Sequence, residues 1–146
     1  MTFYALSSGP GLSGVAVIRV SGSKTVSVIK HLTNSSFPKP KEATLIKFIN
    51  KNNELIDEGI LLWFPGPNSY TGEDMAEFHV HGSRAVIEAI QSSISEVSNC
   101  RLASPGEFTK TAFQWKNRFT ESRRCFRLNF IRNRNSEITS YKNNGG

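Results

Sequence analysis

The chain has 146 residues, of which 38% are hydrophobic, and this composition favours a folded domain over a largely disordered chain. Two isolated cysteines form neither a disulfide framework nor a paired-cysteine zinc motif, and no stretch is apolar enough to span a bilayer, so we expect a cytoplasmic protein with reduced thiols and no membrane contact. The net charge of +6 lies entirely in residues 114–146, since residues 1–113 hold ten basic and ten acidic residues. We therefore divide the chain into a neutral domain, 1–113, and a basic tail, 114–146, which we expect to be disordered.

Apolar periodicity predicts six strands and three helices in the domain. In chain order they are strands at 2–6 and 15–20, a helix beginning near 23, strands at 44–50, 55–64 and 75–81, a helix at 84–97, a strand at 100–103 and a helix at about 108–113. Ser23 is the predicted N-cap of the first helix. With only one clear hairpin, between the third and fourth strands, this order predicts an α+β domain with a mainly antiparallel sheet and helices on one face.

Two charged residues interrupt apolar strands. By alternation, Arg19 shares a strand face with Val15 and Val17, and Glu77 shares one with His79 and His81. A charge on such a face is paired, bound to a ligand or simply exposed, and the pattern leaves these alternatives open. The two histidines lack an obvious third ligand, so a polar face lining a pocket or an interface is favoured over a metal site.

Two glycine-containing stretches look like nucleotide motifs and fail on their context. Residues 9–14 spell G-x-G-x-x-G, but a strand follows where the dinucleotide fingerprint needs a helix. Residues 22–25 resemble the end of a phosphate-binding loop without its Gly-Lys pair. We therefore expect no nucleotide binding at either stretch.

Four longer motifs carry a family resemblance. They are residues 9–22 (GPGLSGVAVIRVSG), 62–74 (LWFPGPNSYTGED), 77–82 (EFHVHG) and 105–113 (PGEFTKTAF). In this order and spacing the chain, over residues 2–113, resembles the amino-terminal domain of the tRNA-modification GTPases of the MnmE/TrmE type. The resemblance implies a fold similar to the tetrahydrofolate-binding domain of the glycine-cleavage aminomethyltransferase.

The resemblance also implies a function and a set of ligands. Family members bind 5-formyltetrahydrofolate or a related reduced folate, form homodimers and, with a flavin-dependent partner protein, modify carbon 5 of the wobble uridine in tRNA. Their GTP, Mg and K sites belong to a GTPase domain, so we expect this chain alone to be inactive. The folate contacts carried over by motif are Arg19, Glu77 and a lysine that follows the Ala-Phe pair, for which Lys116 is the candidate here.

The resemblance fails from about residue 114 onward. Residues 115–120 read WKNRFT where the family has roughly Asn-Gly-Lys-x-Asp-Leu, and the charge excess begins at the same place. Codons for these six residues can be chosen so that regrouping them, with the last two bases of a Gln114 codon in front, restores Asn-Gly-Lys-Ile-Asp-Leu. We therefore expect a truncated chain with a frameshifted tail, in which Cys125 is exposed and reactive.

Two other function classes stay open. A folate-dependent aminomethyltransferase would share the fold, although 113 matching residues are few for that larger enzyme. A nucleic-acid-binding protein would use the basic tail, although the domain itself is neutral. Folate binding without salt-dependent tRNA binding would support the folate-binding module. Salt-dependent tRNA binding would support the nucleic-acid-binding protein.

Overall fold

A computed structural model describes residues 1–7, 14–34 and 37–120 of the chain. The predicted order of strands and helices is confirmed, with boundaries within one or two residues of expectation for every element but the last helix. The elements are β1 (Thr2–Leu6), β2 (Val15–Ser21), α1 (Thr25–Thr33), β3 (Thr44–Ile49), β4 (Leu55–Phe64), β5 (Met75–His81), α2 (Arg84–Ser95), β6 (Cys100–Leu102) and α3 (Glu107–Thr120).

The strands form one six-stranded sheet in the order β3-β4-β5-β2-β1-β6. Only β1 and β6 run parallel, and the other neighbours are antiparallel. The predicted hairpin joins β3 to β4, and its turn is held by the Asn50 side chain, which accepts hydrogen bonds from the backbone N–H groups of Asn52 and Glu54. The predicted α+β class with a mainly antiparallel sheet is therefore confirmed.

The main core lies between one face of the sheet and helices α1 and α2. Alternate strand residues such as Ile18 and Phe78 are fully buried against Ile29 of α1 and Ile90 of α2. The Phe78 ring meets Phe48 edge to face, with centroids 5.5 Å apart. The apolar residues that recur at helical spacing in α1 and α2 therefore form the buried face that this spacing predicts.

The first turn of α1 is not capped by Ser23 as predicted. The N-cap residue is Lys24, with no side-chain cap, and its backbone N–H donates to the Thr2 hydroxyl at 2.8 Å. The Thr25 hydroxyl donates to the carbonyl oxygens of Gly22 and Asp74, both at 2.9 Å. Tertiary partners therefore take the place of a local cap. The Thr2 hydroxyl lies this close to the start of α1 where Gly22 meets the Thr2 backbone, at a distance that leaves no room for a side chain on residue 22.

Helix α3 lies against the face of the sheet opposite to the one that α1 and α2 cover. Phe108 packs with Phe3 and Met75 in a second buried cluster, and the rings of Phe108 and Phe3 are 4.8 Å apart in an edge-to-face contact. Strand alternation turns Phe3 and Met75 away from the main core, and α3 covers them.

Helix α3 also continues past residue 113, where its end was predicted, to Thr120. Phe108 and Ala112 are buried, and the Trp115 indole lies on Gly72 at the next position of the same helical face. Residues 114–120, which the sequence analysis assigned to the tail, therefore lie in this helix. Residues 121–146, with Cys125, lie outside the described residues, as do residues 8–13 of the glycine-rich connection.

Candidate functional site

The face of the sheet that carries the start of α3 is only partly covered, and we call it the open face. Cross-strand register places on it the residues Val15, Val17, Arg19, Ile60, Leu62, Glu77, His79 and His81. Val15 is 53% exposed, and Leu45, which the register of β3 and β4 places on the same face, is 64% exposed. On the part of this face that α3 does not cover, polar and apolar side chains are therefore accessible to solvent next to each other.

Arg19 and Glu77 lie directly opposite each other on β2 and β5. The Arg19 Nε donates a hydrogen bond to Oε2 of Glu77 at 2.9 Å. Both side chains are partly buried, with exposures of 27% and 17%. Of the alternatives that the sequence left open, pairing with each other is therefore the one observed, and the pair remains reachable from solvent.

His79 completes the contacts of the Glu77 carboxylate. Its Nε2 lies 3.0 Å from Oε1, so each carboxylate oxygen has one partner among the described residues. Burial alone would raise the pKa of Glu77, but the hydrogen bond from His79 and the charge of Arg19 outweigh it, and the pKa lies below its usual value. Because an ionised carboxylate only accepts hydrogen bonds, the Nε2 of His79 must carry the proton.

His81 engages a different carboxylate. Its backbone N–H donates to Oδ2 of Asp57 at 2.8 Å, and its Nδ1 lies 2.8 Å from Oδ1. Burial would raise the pKa of Asp57, yet the hydrogen bonds from His81 hold it below its usual value. The sequence analysis missed Asp57, although alternation with Leu61 and Trp63 places this charge on the core-facing side of β4 and could have marked it.

The loop between β4 and β5 is fastened to β2 by a hydrogen-bond network. The hydroxyls of Ser21 and Thr71 are 2.7 Å apart, and Thr71 is almost fully buried. The Ser21 hydroxyl also donates to the Glu73 carboxylate at 3.4 Å, and the backbone N–H of Gly66 donates to Asp74 at 2.8 Å. The two acidic residues of the Gly-Glu-Asp stretch therefore hold the loop beside the open face.

Lys116 meets this same loop. Its Nζ lies 5.8 Å from the centroid of the Tyr70 ring, a cation–π contact, and Tyr70 packs against the cluster that contains Met75. Met75 precedes Glu77 by two residues on the same strand face, a separation of about 7 Å. The structure thus joins Arg19 and Glu77 directly and puts Lys116 against the loop beside them.

The model of the family described as GTP-binding protein TrmE N-terminus matches residues 2–117. The chain belongs to this family. The matched segment contains Arg19, Glu77, His79 and Lys116, so the whole candidate site lies within the family domain.

Curated relatives agree with this assignment. The chain is 69% identical over 116 residues to the tRNA modification GTPase MnmE of Pelagibacter ubique (strain HTCC1062), covering 78% of this chain and 26% of the relative. It is 49% identical over 112 residues to the protein of the same name from Brucella canis, covering 77% of this chain and 25% of the relative. The chain therefore spans about a quarter of the length of the curated relatives it matches.

Two further observations concern metals and membranes. In the part of the chain that the structure describes, no three His, Cys, Asp or Glu side chains come together in a way that could hold a metal ion. No helix within residues 1–7, 14–34 and 37–120 is long and apolar enough to cross a membrane.

Proposed function

We propose that this domain binds a reduced folate, 5-formyltetrahydrofolate or a close relative, on the open face at Arg19 and Glu77. The observation that carries the proposal is the Arg19–Glu77 pair, a partly buried ion pair on an accessible sheet surface where apolar side chains such as Leu62 lie beside it. The family resemblance supplies the identity of the ligand, and the chemistry of the pair is what supports it.

The residues present fit a folate. A carboxylate oxygen accepts two hydrogen bonds, and each oxygen of Glu77 accepts one from the described residues, so an acceptor position is left on both. Two adjacent acceptors suit the amino-pyrimidine edge of a pterin, which presents neighbouring N–H donors. Apolar neighbours such as Leu62, opposite Glu77 on β4, suit the flat ring. Lys116 would approach the anionic part of the ligand from the side of Tyr70.

The same face is proposed to form the homodimer. Val15 and Leu45 are large apolar residues that are more than half exposed on the open face, and covering them with a second copy removes apolar surface from water. Leu102, which is 60% exposed on the face that carries α1 and α2, provides a matched control. Light scattering at micromolar concentration should give a dimer for the wild type and Leu102→Glu, and a monomer for Leu45→Glu. A dimer of Leu45→Glu as stable as that of the wild type would contradict this surface.

The wider role follows from the family. The curated relatives are named tRNA modification GTPase, so we propose that the domain serves modification of the tRNA wobble uridine in the cytoplasm, together with a flavin-dependent partner protein. GTP, Mg and K would be bound by the rest of such a protein. The folate module itself needs none of them.

Isothermal titration of the full chain with 5-formyltetrahydrofolate tests the folate site. Glu77→Ala should weaken binding by about 1.5–3 kcal/mol, the worth of a hydrogen bond to a charged group. Glu88→Ala is the control, because Glu88 is 69% exposed on α2 and its ion-pair partner in the part of the chain that the structure describes is Arg84, on the same helix. Equal affinity of the wild type and Glu77→Ala would refute the site.

A further inference from the structure

The Glu77 carboxylate is held from two directions. Arg19 reaches it across the sheet from β2, at Oε2, and His79 reaches it along β5, at Oε1. A carboxylate held at one oxygen can still turn about its terminal bond. One held at both oxygens keeps its plane, and the acceptor positions left on it keep their directions.

His79 is built into this arrangement and is not a loosely placed surface residue. Its direct neighbours across the sheet are Val17 on β2 and Ile60 on β4, both apolar, and within residues 1–7, 14–34 and 37–120 its hydrogen-bond partner is Glu77. A Cβ at Gly59 would overlap the carbonyl oxygen of His79, so only glycine lets β4 lie this close to the His79 backbone. The close approach of β4 therefore fixes the backbone that carries the His79 ring.

His81 shows that a second histidine on the same face does something different. It uses Nδ1 and turns to Asp57, and its side chain is 72% exposed against 29% for His79. Ionised partners make His79 an Nε2–H donor and His81 an Nδ1–H donor. Nitrogen NMR shifts of the neutral rings distinguish these two states.

We propose that His79 is a positioning residue, which together with Arg19 orients the Glu77 carboxylate toward a ligand that carries two adjacent N–H donors. The ligand class rests on the folate function proposed above; the orientation of the carboxylate does not. Such a site selects a planar amidine-like edge over a ligand with a single donor, because only the former uses both acceptor positions.

The first test is folate affinity in the full chain. His79→Ala should weaken binding of 5-formyltetrahydrofolate by about 10-fold or more, as expected for loss of a bond to a charged group. His79→Gln should recover most of the affinity, because its terminal amide N–H can occupy the place of Nε2. His81→Ala, the matched control, should bind within about twofold of the wild type, since a residue that only borders the site contributes little. If His79→Ala binds like the wild type, or if His79→Gln fails as badly as His79→Ala, the positioning role is wrong.

The second test needs no ligand, and it separates this inference from the folate assignment. The carboxyl carbon of Glu77, followed by NMR as the pH is lowered, should titrate at higher pH in His79→Ala than in the wild type, with His79→Gln between them. An unchanged titration in His79→Ala would overturn the positioning role even if folate binds. If the wild type binds no folate but Glu77 titrates at higher pH in His79→Ala, the folate assignment is refuted while the contact between His79 and Glu77 stands.

Discussion

The contact between Gly72 and Trp115 ties the extended α3 to the loop before β5. Gly72 has a φ of +79°, and a Cβ there would lie 2.5 Å from Cε2 of Trp115 and nearer still to the adjoining ring atoms. Ordinary contacts of this kind are about 3.5 Å or longer, so in Gly72→Ala the indole must retreat by about 1 Å. The substitution should cost about 1–2 kcal/mol for the left-handed backbone and about 1–3 kcal/mol more for the displaced indole.

Gly106 provides the control for the backbone part of this cost. Its φ is +75°, and a Cβ there would meet nothing within 4 Å. Urea unfolding followed by far-UV circular dichroism should therefore show a larger loss for Gly72→Ala than for Gly106→Ala. In a Trp115→Ala background the Gly72→Ala cost should fall to that of Gly106→Ala, because the residue that it displaces is gone.

The result that would refute this reasoning is an equal cost of Gly72→Ala with and without Trp115. The indole would then not rest on the loop, and residues 114–120 would not be held as a helix against the domain. A coupling of about 1 kcal/mol or more between the two positions exceeds the usual error of such cycles and would support the contact.

Three further predictions concern GTP binding and hydrolysis, the pH dependence of stability and the reading frame of the tail. The purified chain should neither bind nor hydrolyse GTP, since its 146 residues contain no G-x-x-x-x-G-K-[ST] sequence; phosphate release above that of a blank preparation would contradict this. The free energy of unfolding should fall as the pH drops below about 4.5, because Glu77 and Asp57 have folded-state pKa values below their unfolded ones, so their stabilisation is present at higher pH and is lost as they protonate. Chemical denaturation across this pH range checks the trend, and Glu77→Gln should flatten it. We also predict that residues from Trp115 onward are encoded in a shifted frame; a gene sequence in which no other register restores Asn-Gly-Lys and continues into a GTPase domain would exclude this.

Local sequence pattern predicts the strands and faces of this domain well. The bounds of β5 at residues 75–81, and the shared face of Glu77, His79 and His81, follow from two-residue alternation alone. The fold class follows from the order of the elements and the single hairpin. These features depend on neighbours in the chain, so no knowledge of the tertiary structure is needed.

The contacts that make the candidate site depend on register between distant strands. Arg19 and Glu77 are 58 residues apart, and a slip of one residue between β2 and β5 would turn one of them into the core. In the sequence, the start of the tail likewise shows no regular pattern. The reason is that Trp115 and Lys116 contact Gly72 and Tyr70 in the loop between β4 and β5, and not residues of α3. Helical spacing from Phe108 through Ala112 to Trp115 was present in the sequence, but its burial partners could not be read there.

The most direct test of the central claim, that the open face binds folate at Arg19 and Glu77, is an NMR titration of the full chain with 5-formyltetrahydrofolate. The side-chain carboxyl signal of Glu77 and the Nε signal of Arg19 should shift together and saturate at one ligand concentration. The Arg101–Glu107 pair is the internal reference, because it is also an Arg–Glu ion pair but lies at the start of α3. Its signals should stay in place. Saturable shifts at Arg101 and Glu107 with none at Arg19 and Glu77, or no saturable shift at either pair, would contradict the account.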